Sequence, residues 1–136
     1  MVRPVCRDVF LLSQKSAPAD KADLPVAMDL ADTLRANADA CVGMAANMIG
    51  VLKRIIAVSA GPAVIVMMNP VITARREPYE AEEGCLSLMG VRKAKRWASI
   101  DVEYQDMMMR KQKGTYTGFM AQIIQHEVDH LDGVLI

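Results

Sequence analysis

The chain has 136 residues, 16 Lys+Arg against 16 Asp+Glu, 52% hydrophobic residues and 24% charged ones. This balance excludes a disordered chain and a general electrostatic grip on nucleic acid or acidic lipid. No apolar run reaches the roughly 18 residues that a membrane-spanning helix needs, so one globular domain over 1–136 is expected. Residues 1–12 carry Arg3, Arg7 and Asp8 and lack a small-residue cleavage site. They do not read as a signal peptide, and a cytoplasmic location is expected.

In chain order, residues 3–12 predict a short helix with Pro4 near its first turn, and 13–24 predict a loop of turn and cap residues. Asp23 is placed to cap a helix over about 25–37, where Ala27, Leu30, Ala31 and Leu34 recur at helical spacing. In the small-residue stretch 41–50, Gly43 and Gly50 point to tight turns or close backbone approach. β-rich runs at 54–59 and 64–68 flank Gly61-Pro62, and 71–74 is a further strand candidate. Residues 75–90, polar and punctuated by glycine, read as a long functional loop. Ile100, Val102 and Tyr104 alternate with Asp101, Glu103 and Gln105, as in a half-buried strand. A turn near 106–108 then leads to a return strand reaching Tyr116. Residues 119–132 form a helix that is apolar on several sides and therefore buried. The fold class is α+β: antiparallel strands packed around a central C-terminal helix, with an N-terminal helix.

The chemistry concentrates in that last helix. The chain has two histidines, His126 and His130, and both lie in the H-E-x-x-H segment His126-Glu127-Val128-Asp129-His130. The i, i+4 spacing rotates by about 400°, so both imidazoles share one helix face, one turn apart, and can grip one metal ion. Glu127 lies about 100° round the helix, within reach of a water on such a metal, where it would act as a base. The bland alternative is two hydrogen-bonded core histidines. Burying two imidazoles and two carboxylates without partners is expensive, and a metal offsets that cost. Six residues follow His130, so a third ligand is expected mainly from upstream, as a cysteine or a carboxylate. Three widely spaced cysteines do not suggest a disulfide framework. Cys6 and Cys41 lie in apolar or small-residue surroundings, whereas Cys85 lies in Glu83-Gly84-Cys85-Leu86-Ser87, so Cys85 is preferred.

At these residues the sequence resembles the peptide deformylase family, which carries three motifs. The first, G-x-G-Φ-A-A-x-Q-x-G, aligns with residues 41–50. The second, E-G-C-L-S, is intact at 83–87, and the third, Q-H-E-x-D-H-L, is intact at 125–131. The resemblance implies a divalent metal held by Cys85, His126 and His130: Fe2+ by family habit, with Zn2+ as a common replacement. It implies Glu127 as the base and the backbone N–H of Leu86 as a donor to the oxyanion. It implies N-formylmethionyl peptides or nascent chains as partners, with release of formate. Substrate contacts implied in the same way are the Gly43 backbone, a methionine side-chain pocket near Val42, Phe119, Gln122 and Ile123, and Arg92 beside the peptide. Arg92 reads equally as a solvated charge of the basic run 92–96. That run raises a weak ribosome contact, against which a solvated face is preferred. Asp129 is either an acceptor orienting a ligand histidine or a helix-surface carboxylate.

Two departures lie in the first motif. Cys41 stands at its first glycine and Met48 at its glutamine, whose amide serves the oxyanion in the family. Methionine has no N–H to donate; Asn47, one residue earlier, carries an amide. The expected function is a metal-dependent hydrolase removing formyl groups, slowed by Met48. The alternative keeps the metal but has lost deformylation, and binds peptides or hydrolyses another small amide. A metallopeptidase or a purely structural metal site is the third reading. The intact Glu127 and the missing downstream ligand speak against it.

Overall fold

The computed structural model describes residues 1–85 and 88–135. Its elements are α1 (Val9–Leu12), α2 (Leu24–Ala36), β1 (Gly43–Ala45), β2 (Ile55–Ala60), β3 (Ala63–Cys85), β4 (Leu88–Gln105), β5 (Lys111–Thr117) and α3 (Gly118–Leu131). The five strands form one antiparallel sheet in the order β1-β2-β3-β4-β5. The α+β class, the C-terminal helix and an N-terminal helix agree with expectation. Among the described residues no helix is long and apolar enough to cross a membrane.

Period-2 alternation in β2 splits the core into two layers. Ile55 and Ala57 face α2, where they join Ala27, Leu30 and Leu34 together with Met44, Met48 and Met68. Ile56 and Val58 face α3 and join Ile100, Val102, Ile124, Val128 and Leu131. The sheet therefore lies between the two longer helices.

Three expectations are corrected. Only Val9–Leu12 of the expected 3–12 helix is helical. Asp8 caps it by accepting from the Phe10 N–H at 3.0 Å, while upstream the Arg3 N–H is held by Thr33 Oγ1 at 2.9 Å, across α2. Asp23 precedes α2 but does not cap it through its side chain. Its carboxylate accepts from the Asp20 N–H at 2.9 Å and pairs with Lys53 at 3.5 Å. The described part of 75–90 is not a loop. It is the far arm of the β3–β4 hairpin, in register at Glu80↔Lys95 and Glu82↔Lys93. Opposite charges face each other across that arm, which supports pairing without an apolar alternation.

The arm carries Cys85 toward α3. Strand β5 leaves β4 at Ser99↔Thr117, and Gly118, at φ 60°, turns the chain into α3 in a conformation that glycine adopts freely. Beyond that point the Gln125 side chain takes over the exposed edge of β4. Its Oε1 accepts from the Trp97 N–H at 2.9 Å and its Nε2 donates to the Trp97 carbonyl at 2.8 Å. This amide fixes α3 against the sheet one residue before His126.

Candidate metal centre and active site

Strand β3 and helix α3 bring Cys85, His126 and His130 together, with one ligand atom from each lying within 4.8 Å of the others. The two Nε2 atoms are 3.0 Å apart and the imidazole planes are inclined at 63°. Both histidines are buried and Cys85 is half-buried. His126 Nδ1 lies 2.8 Å from Glu83 Oε1. A carboxylate can only accept there, so Nδ1 carries a proton and Nε2 faces the cluster.

Glu83 is itself held. Arg96 Nη2 donates to its Oε1 at 2.6 Å, Arg96 Nε to its Oε2 at 2.9 Å and Gln122 Nε2 to its Oε2 at 3.0 Å. Burial alone would raise this carboxylate, but the hydrogen bonds from His126 and Arg96 and the guanidinium charge pull it down to about 2. Burial opposes charge on His126, yet the Cys85 thiol and the Glu83 and Glu127 carboxylates draw a proton and push it up to about 10. Burial, with the charges of His126 and Arg96, holds His130 down to about 3, so its imidazole is neutral.

The residues fit a metal. The cluster attracts positive charge, offers one sulfur and two nitrogens, and among the described residues leaves the buried His130 Nδ1 and Glu127 Oε1 without hydrogen-bond partners. A thiolate with two imidazoles suits Zn2+ or Fe2+ better than a hard, oxygen-seeking cation. Glu127 is 4% exposed, and burial pushes its carboxyl up to about 7. It is not in the convergent donor group. Its Oε2 would stand only 2.9 Å from a side chain added at Gly43, so β1 passes directly over it.

A cleft of about 570 Å³ opens over these groups. Val42, Gly43, Phe119, Gln122 and Ile123, which the resemblance implies as substrate contacts, all line it, and Phe119 is 62% exposed at its rim. Arg92 is not among its described lining residues; it lies opposite Glu83 in the β3–β4 ladder. Leu86 lies outside the described residues. Arg96 corrects the solvated reading of 92–96, being 4% exposed and paired with Glu83 and, at 2.7 Å, with Asp129. Among the described residues Asp129 thus connects to His126 through Arg96 and Glu83.

The altered first motif is resolved in detail. Asn47 Nδ2 donates to the His130 carbonyl at 2.8 Å, so its amide is committed to the helix backbone. Met48 is buried, lines the cleft and accepts the Ala45 N–H on its sulfur at 3.4 Å. The Cys41 thiol also lines the cleft and donates to the Gly43 carbonyl at 2.8 Å; burial pushes it up to about 11. Sequence reasoning missed the roles of Glu83 and Arg96. The available signal was period 2: Glu83 precedes Cys85 by two residues on one strand.

Comparisons with known proteins agree with this geometry. The family model for polypeptide deformylase matches residues 5–136. The chain belongs to the peptide deformylase family. It is 52% identical over 136 residues to a peptide deformylase of Clostridium beijerinckii, and the match covers 100% of both chains. Peptide deformylase from Thermus thermophilus superposes with a TM-score of 0.88 at 37% identity, over 98% of this chain and 83% of that one. A class I type b peptide deformylase from Acinetobacter baumannii, solved with Met-Ala-Ser bound, gives a TM-score of 0.89 at 30% identity, over 99% of this chain and 97% of that one. Family membership makes the chain a hydrolase of a metalloenzyme family, with a role in protein biosynthesis.

Proposed function

We propose that residues 1–136 form one cytoplasmic deformylase domain that removes the formyl group from N-formylmethionyl peptides, slowly because residue 48 is methionine. The observation that carries this reading is the convergence of Cys85, His126 and His130 beside the buried Glu127, whose Oε1 has no partner among the described residues, in the floor of a cleft. We assign these three as metal ligands, with Fe2+ as the native ion and Zn2+ as a replacement. Bound there, a divalent metal supplies an acidified water and a polarised carbonyl.

The chain's own residues do the rest. Glu127 takes the proton from the attacking water and returns it to the departing amine. The apolar side of the cleft, with the exposed Val42 and Phe119 and the buried Ile123, receives the methionine side chain. The main chain at Gly43, on the edge strand β1, lines up the peptide. The Met-Ala-Ser complex of the Acinetobacter relative supports a methionyl peptide as the occupant. Leu86 N–H is the remaining proposed donor to the oxyanion. The engagement of Asn47 with His130 supports slow turnover, because that amide does not replace the lost glutamine. Arg92 keeps a proposed place near the peptide from the resemblance alone, and burial of Arg96 removes support from a ribosome contact through 92–96.

The test is formate release from a formyl-Met tripeptide by anaerobically prepared, iron-loaded protein. Slow but metal-dependent release supports the proposal. Metal binding with no release favours the alternative, a peptide binder or a hydrolase of another amide. Cys85→Ser should greatly weaken metal binding while Cys6→Ser leaves it unchanged; equal metal content in the two would sink the ligand assignment.

A further inference from the structure

An ionised carboxylate offers about four lone-pair positions, and Glu83 has all of them filled. Oε1 accepts from Arg96 Nη2 and His126 Nδ1, and Oε2 accepts from Arg96 Nε and Gln122 Nε2. Gln122 is the odd member. A residue lining a pocket for an apolar side chain has no need of an amide, and a leucine or methionine would line it as well. The Tyr79 hydroxyl, 3.5 Å from Gln122 Oε1, fixes which end of the amide faces the carboxylate: the oxygen accepts from Tyr79, so the NH2 group points to Glu83.

We propose that Gln122 is a positioning residue for the metal centre, acting through Glu83 on His126. Its hydrogen bond sets the rotation of the Glu83 carboxylate. That rotation in turn holds the His126 ring with Nδ1 donating to the carboxylate and Nε2 aimed at the cluster. Groups that hold a ligating histidine in this way typically change metal affinity by 10–100-fold when removed. Gln122 also lines the cleft, so a side chain bound there rests on a residue tied to a ligand. This inference depends on the assignment of Cys85, His126 and His130 as ligands.

The experiment measures Zn2+ affinity of metal-free protein by competition with a chromophoric chelator, and the absorption bands of the Co2+-loaded form. Gln122→Met preserves length and removes the donor. It should weaken Zn2+ binding by about 10-fold and shift the Co2+ bands, with the far-UV circular dichroism unchanged. The same substitution in a Glu83→Gln background should add little, because the route through the carboxylate is already lost. Unchanged affinity and bands in Gln122→Met would overturn the inference, as would a full additional loss in the double variant. Cys85→Ser separates the two levels. If it retains Zn2+, the ligand assignment fails; if it loses Zn2+ while Gln122→Met binds normally, only the positioning role fails.

Discussion

Glu127 Oε1 is buried without a partner among the described residues, and an unpaired buried polar atom normally carries a free-energy penalty. Its retention in the floor of the cleft makes sense for a group that exchanges protons with a reactant. Glu127→Gln should keep the metal, since Glu127 lies outside the convergent donor set, and should abolish formate release, since an amide cannot accept the proton. Metal analysis beside the release assay checks both halves; loss of metal would make Glu127 a ligand. Residue 48 sets the expected rate. Removing one preorganised oxyanion donor typically costs on the order of 10²–10³ in turnover. Met48→Gln should therefore raise turnover by up to that factor with little change in metal content. The gain is limited by the neighbouring Cys41 thiol, which occupies the Gly43 carbonyl. No gain, with fold and metal intact, would place the defect elsewhere in the cleft.

Strand β1 crosses α3 at close range. A Cβ added at Gly43 would stand 2.6 Å from Ile123 Cγ2 and 2.9 Å from Glu127 Oε2. Gly43→Ala should push the strand off the helix, lower stability by roughly 1–3 kcal/mol and reduce turnover through displacement of Glu127; urea unfolding and formate release measure the two effects. This contact was legible only in part. The sequence shows a glycine in a small-residue stretch, but not what it faces. Helix α3 and its histidines were legible because apolar periodicity and i, i+4 spacing are local. The β3–β4 arm was not, because its exposed residues are held by cross-strand partners such as Lys93 and Glu80, so no alternation appears along either strand. Glu83 and Arg96 were hidden for the same reason. Their pairing, 13 residues apart, exists only once the hairpin has closed. In α1 the short apolar run suggested a longer helix, while tertiary contacts of Arg3 with α2 keep the preceding residues extended.

At the scale of the molecule, two apolar layers enclose the sheet, and one charged group sits where β3, β4 and α3 meet. Glu83, Arg96, Asp129 and His126 connect these three elements through hydrogen bonds of 2.6–2.9 Å. The fold's acid stability should therefore run through Glu83. Its carboxyl is held at about 2 in the folded chain, against the ordinary 4.5 of glutamate. A depressed carboxyl favours folding wherever the unfolded chain would bind the proton more readily. Its contribution is complete above about pH 4.5, declines as the pH falls through the interval, and is gone below about pH 2. A shift of this size corresponds to roughly 3 kcal/mol. Metal must be removed before the measurement, because ligands that protonate in acid also release metal and would add a second acid-dependent loss. In metal-free protein the urea midpoint should fall between pH 5 and pH 3, a window that spans the ordinary titration of the unfolded carboxyl. In metal-free Glu83→Gln the protein should be weaker at pH 6, and its midpoint should fall less over the same window. Parallel curves for the two proteins would mean that other groups, such as His130, held down to about 3, or the half-buried Asp101 paired with Arg76, govern the acid limb instead.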